Sequence, residues 1–268
     1  MYEVFKVALY TCSSYPKICA PHRLRPGDDF EVCVLSSVIS IQCSLDVYTK
    51  VAAIIEGRAT LGDLGVVDAM AKSLLENERE LGHRVIPELV LAYPIVVAVY
   101  SYMKHGYRYP EAIRTTMRHL SIVSGEPVVQ LVKAMRAFGG DLTWIVEQCD
   151  LTERRVKVEN LSAYDVLQAL SRHSVRFRFF TDMERCIELS TAIRRAIDET
   201  LDPPIAIAMV FNEFVKEVER LDISIPRERR SFVNEMLKID LAMRREGRDY
   251  SHLLPYVALA LVGTLDKI

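Results

Sequence analysis

From about residue 40 to the C-terminal end, apolar residues recur at intervals of three and four rather than two, and that periodicity commits most of the chain to packed helices. It predicts helices over Leu45 to Glu56, Leu64 to Leu81, Val85 to Met103, Pro110 to Ser124 and Val128 to Phe138. Further segments follow at Tyr164 to Phe180, Met183 to Glu199, Ile205 to Arg220, Arg227 to Arg245 and Leu253 to Leu265. Glycines and prolines fall between them, and Ser162 with Asp165 forms a capping-box start. The expectation is an all-α fold, a single-domain bundle of about ten helices over residues 1–268, whose weakest joint is Gly139 to Leu161. Only the first forty residues carry strand signals. EVFKVALY and FEVCVLSSVISI each read as strand or buried helix, because periodicity does not separate the two in short apolar runs.

At 268 residues the chain can bury a sizeable core. Its formal net charge of −2 provides no global field toward nucleic acid or an anionic membrane, so any anion site must be local. The longest apolar stretch, Val85 to Met103, contains Glu88 and two prolines and ends at Lys104-His105, which favours a buried core helix over a membrane span. With no basic n-region and apolar run at the start, the expected location is cytoplasmic. Asn and Gln total only eight while Arg, Glu, Val and Ile are plentiful, the bias of chains from hot environments. Six cysteines show no CxxC pair and no zinc spacing, and read mostly as small buried apolar residues. A hot source would also allow a disulfide between two of the first four.

Several polar clusters invite chemistry. Arg114 and His119 have the R-x4-H spacing of helical ribonucleases of the HEPN type, a spacing that also arises by chance among so many arginines. In RHSVRFRFF, Arg172 and Arg176 one turn apart could clamp a phosphate while Phe177, Phe179 and Phe180 stack on a base. The alternative puts the phenylalanines in the core and the arginines at the surface. Arg227, Arg229 and Arg230 crowd a predicted first helical turn, where the macrodipole disfavours cations, so an anion is called for: a ligand phosphate or a neighbouring acidic side chain. Candidate acids Asp28, Asp29, Asp165, Asp182 and Asp222 are scattered singly, and there is no P-loop and no nucleophile elbow.

Taken in order, these pieces resemble the triphosphoribosyl-dephospho-coenzyme A synthase family, and its archaeal branch in particular. The family signature E-x-S-x-x-P-K-P-G, then N-V-H-R, then F-E-D-F-L-x-S, is matched by Ser13, Pro16, Lys17, His22, Arg23, Phe30, Glu31 and Ser36 at the right spacing. A later Y-D-V segment leading to R-D-S is matched by Tyr164-Asp165-Val166 and Arg172-His173-Ser174, and D-T-L-I-x-R-K by Asp222, Ile225 and Arg227. Departures fall on the polar motifs. Thr11 replaces the signature Glu, Ile18-Cys19 its Pro-Gly, His173 the Asp of R-D and Glu228 the Lys of R-K. Neither N-T-N-L-G, aligned on His83 to Pro87, nor the late N-P-G has a counterpart.

The resemblance implies an all-helical fold and displacement of adenine at the ribose C1′ of ATP by dephospho-coenzyme A, with magnesium on the nucleotide if that activity is retained. It further implies a ligand site drawn from Ser13, Lys17, His22, Arg23, Ser36, Arg172, Arg176, Asp222 and Arg227. Because the lost residues are mainly acids and amides, the expectation is a phosphate-bearing small-molecule ligand without the standard transferase activity, and no catalytic residue is assigned. The alternatives are a non-catalytic subunit pairing with an intact paralogue or with itself, and the HEPN-like ribonuclease.

Overall fold

A computed structural model describes residues 2–25 and 27–268. Among these residues there are fourteen α-helices, four short 3-10 helices and no strand, so the all-α class holds while the expected count of about ten is too low. Both ambiguous N-terminal runs are helical: α1 is Tyr2–Ser13 and α2 is Asp29–Cys43. Two of the additional helices, α8 (Gly140–Gln148) and α9 (Glu153–Val158), occupy the stretch expected to be the weak joint.

The chain divides into two compact units, Met1–Val34 with Arg185–Ile268, and Leu35–Glu184. The boundaries lie inside α2 and just ahead of α11 (Arg185–Thr200).

In the unit Leu35–Glu184, the centre is α5 (Pro87–Lys104), in which every residue from Pro87 to Tyr102 is buried. Helices α3 (Leu45–Ile55), α4 (Val66–Leu81) and α6 (Tyr109–Ile122) pack around it, and α7 (Glu126–Phe138) packs on α4. Burial on all sides explains why α5 is apolar without periodicity, the pattern that gave it the look of a membrane span. Among the described residues no single helix is long and apolar enough to cross a membrane. Helix α4 begins two residues later than its pattern predicts because Gly65 adopts a left-handed φ of +78°, which ends the 3-10 turn Leu61–Leu64.

The predicted helix Tyr164 to Phe180 is two elements. Helix α10 (Ala163–His173) starts at the Ser162–Asp165 capping box, as expected, and stops at Ser174, whose φ of −140° and ψ of 128° are extended. Ser174 then accepts the Arg176 N–H and opens the 3-10 helix Val175–Thr181.

In the other unit, α14 (Leu254–Val262) is buried from end to end and carries α1 and α11, while α12 (Pro203–Glu219) packs on α11. Helix α13 (Arg229–Arg245) supplies Phe232, Met236 and Asp240 to the interior. Cys12 at the end of α1 is disulfide-bonded to Cys33 in α2, closing the intervening segment into a loop.

Candidate functional site

That loop contains SSYPKICAPHR, the stretch compared above with a family signature, and from Pro16 to His22 every residue is buried. A buried loop must have its backbone polar groups met by the protein. Asn212 of α12 does so at two points, its amide oxygen accepting from Ile18 N–H and its amide nitrogen donating to Pro16 O, each at 2.9 Å. Asp240 accepts from Cys19 N–H at 2.6 Å, Tyr250 N–H donates to Cys19 O at 2.7 Å, and Arg244 donates to Ala20 O at 2.7 Å. Cys19, at the position of the signature glycine, holds a φ of +50°. The left-handed turn that glycine would serve is therefore present with a side chain on it.

Lys17 has no solvent exposure. Its ammonium donates to the carbonyls of Thr11 and, at 3.4 Å, Cys12, both in the last turn of α1, and lies 5.9 Å from the centre of the Phe211 ring. Those carbonyls belong to the helix end that lacks intrahelical donors, and a cation there complements the macrodipole. Burial, with a smaller contribution from the nearby Arg244 guanidinium, pulls the Lys17 pKa well below its ordinary value.

His22 is sealed in the same way. Its Nδ1 accepts from Leu24 N–H at 3.2 Å, which leaves the proton on Nε2, 3.4 Å from Asp240 Oδ2. Both ring nitrogens are thus engaged with protein groups. Burial lowers the His22 pKa, with Lys17 and Arg244 acting in the same direction against the raising effect of Asp240. Arg244 completes the cluster with a 2.7 Å contact from Nε to Asp240 Oδ1. Burial alone would raise the Asp240 pKa, but the His22 hydrogen bond, the Arg244 charge and the Cys19 N–H together hold it below its ordinary value.

The other expected site residues of this unit lie nearer solvent. Ser13 is half-buried at the end of α1, and its carbonyl accepts the Arg23 N–H at 3.4 Å. Arg23 is exposed, with its guanidinium stacked 4.0 Å from the centre of the Tyr15 ring. Asp222 and Arg227 are exposed in the segment before α13. The anion that the arginine-rich start of α13 calls for is supplied by the chain: Glu228 caps the helix through Arg230 N–H and Ser231 N–H, and Asp202 lies 2.9 Å from Arg229.

The unit Leu35–Glu184 holds the remaining three. Ser36 is buried in α2 with its carbonyl taken by Ser40. Arg176 is held by buried Glu88 at 2.6 Å and by Asp141 at 3.2 Å. Arg172 lines an open pocket of about 310 Å3 with Gln168, Ser171, Arg178, Thr181 and Asp182. Arg176 is thus engaged apart from Arg172, so the two do not form a clamp, and the alternative of buried phenylalanines with arginines toward the surface holds, with Arg172 and Arg178 in one pocket lining. Phe177, Phe179 and Phe180 have no exposure and pack on one another, with ring centres 5.1 and 6.2 Å apart, so none is available to stack on a base.

Arg114 and His119 share no surface. Arg114 is exposed and paired with Glu184, whereas His119 is fully buried with Nδ1 at 2.7 Å from Leu61 O. Nor do the acids assemble a metal centre. Asp165 is engaged in the α10 capping box and Asp29 is paired with Arg25. Among the described residues no three His, Cys, Asp or Glu side chains are grouped to hold a metal ion.

Sequence reasoning missed Asn212, Asp240 and Arg244 around the buried loop, and Ser171, Arg178 and Thr181 in the pocket. Arg178 was within reach, since it lies in the quoted RHSVRFRFF stretch. Comparison of the chain with protein-family models, with curated proteins and with solved structures finds no match in any of the three.

Proposed function

We propose that this protein binds a phosphate-bearing small molecule, a nucleotide or another phosphorylated metabolite, and that it is a divergent relative of the triphosphoribosyl-dephospho-coenzyme A synthases without their transferase activity. One observation carries the loss of transferase activity: Lys17 and His22 have no solvent exposure, and their nitrogen atoms are already bonded inside the protein. A displacement at ribose C1′ needs a metal-bound triphosphate and polar groups aimed at developing charge, and these two signature residues are turned to folding instead. The positive φ of Cys19 supports the relationship, because it keeps the turn the signature glycine would make. The pocket supports phosphate binding, because two arginines, Arg172 and Arg178, are among the residues that line it.

The test has two arms. Incubation with ATP, dephospho-coenzyme A and magnesium is expected to release no adenine, and release at an ordinary enzymatic rate overturns the loss of transferase activity. Calorimetric titration with phosphorylated ligands is expected to show binding that Arg172→Ala weakens by roughly tenfold or more, the effect of one charge-assisted hydrogen bond.

A further inference from the structure

We infer that the pocket at the end of α10 is built for a phosphorylated polyol, a sugar phosphate in which Arg172 and Arg178 take the phosphate while Ser171, Thr181 and Asp182 accept hydrogen bonds from the hydroxyl groups. This rests on the phosphate-binding reading above and narrows it to a ligand class.

The inference comes from the donor and acceptor capacity of the lining. A serine or threonine hydroxyl has one proton and two lone pairs. The Ser171 proton is directed to backbone carbonyls, Phe177 O at 2.6 Å and Leu167 O at 3.0 Å. The Thr181 proton goes to Arg178 O at 3.1 Å. Both oxygens can therefore only accept from a ligand, and the Asp182 carboxylate likewise only accepts.

On the donor side, Arg172 gives one N–H to Gln168 Oε1 at 2.8 Å and has others to offer. Accepting that bond fixes the Gln168 oxygen and leaves its NH2 as a further donor. The residues of the lining thus include cationic donors and a group of acceptors.

A bare phosphate would satisfy the arginines but would set its oxygens against those of Ser171, Thr181 and Asp182. A polyphosphate would bring more negative charge than two guanidinium groups can offset beside the Asp182 carboxylate. A sugar phosphate matches both halves, its phosphate accepting and its hydroxyl groups donating. The volume, about 310 Å3, is at the small end of the roughly 300–1,000 Å3 range of small-molecule sites, which suits a single sugar phosphate.

The experiment titrates the full chain by calorimetry with D-ribose 5-phosphate, D-glucose 6-phosphate, inorganic phosphate and D-ribose. At least one sugar phosphate is expected to bind about tenfold or more tightly than inorganic phosphate or ribose, the worth of one or two added hydrogen bonds. Thr181→Val, near in shape but without the acceptor, is expected to cut that preference roughly threefold or more while leaving inorganic phosphate unchanged, and Arg178→Ala to weaken every phosphate ligand. Asp182→Asn serves as the second variant if Thr181→Val fails to fold, and is expected to reduce the sugar phosphate preference too. If inorganic phosphate binds as tightly as both sugar phosphates, or if the preference survives both substitutions, the polyol inference is overturned and phosphate binding stands. If no phosphate ligand binds at all, the phosphate-binding reading fails with it.

Discussion

Replacing Lys17 by Met tests the buried loop directly, because the substitution nearly preserves side-chain length while removing the ammonium. Two terms of opposite sign then separate with pH. The variant leaves the carbonyls of Thr11 and Cys12 without their donor, a loss of about 1–3 kcal/mol for buried polar groups. The wild type carries the cost of burying a basic group, and burial holds the Lys17 pKa well below its ordinary 10.5. Above 10.5 the amine is neutral both folded and unfolded, and no such cost exists. As pH falls below 10.5 the unfolded chain takes up the proton first, so wild-type stability declines until pH passes the lowered folded-state pKa, below which the loss is constant. One proton gives a slope of up to about 1.4 kcal/mol per pH unit within that window. The stability deficit of Lys17→Met is therefore expected to be greatest near pH 10.5 and to shrink by up to that amount with each unit toward neutrality. Urea unfolding of both proteins at pH 7, 8, 9 and 10 measures it. A deficit that stays constant across the four pH values would refute the reasoning, since it would mean that Lys17 ionises as it does in water.

Two further substitutions probe the same loop. Asp240→Asn keeps the shape but removes the charge facing Arg244 and His22, and is expected to cost about 3–5 kcal/mol at pH 7, read as a lowered melting temperature. Because the Asp240 pKa is depressed in the fold, its contribution is present above the ordinary carboxylate value of 3.8 and disappears as pH falls through the lower folded one, so the two melting temperatures should converge in acid. Replacing both Cys12 and Cys33 by Ser opens a loop whose ends are 21 residues apart and is expected to lower unfolding free energy by about 3 kcal/mol in denaturant titration.

The helices that were legible in the sequence are those whose burial is one-sided or complete over several turns, such as α4, α7 and α5. Helices α8 and α9, nine and six residues long, were not, because so few turns carry too little apolar pattern to stand out from their charged surroundings. The break in α10 was hidden for a different reason: Ser174 acts through backbone geometry, while the Phe and Arg pattern runs on across it.

The signature loop shows the deeper limit. Its partners Asn212, Asp240 and Arg244 lie 194 to 224 residues away in sequence, so nothing local distinguishes a lysine aimed at a ligand from one aimed at a helix end. The pattern of cations matched and acids missing is what a vacated metal site with a surviving phosphate site would leave. A loop kept for packing leaves the same pattern, because Lys17 and His22 each have a structural task that needs no acid at position 11 and no glycine at position 19. Burial separates the two accounts: a phosphate-binding lysine must reach solvent in the unliganded protein, and Lys17 does not. The arginines that do reach it, Arg172 and Arg178, include one that no signature position marks, and the proposed ligand class rests on the hydrogen-bonding capacity of their neighbours.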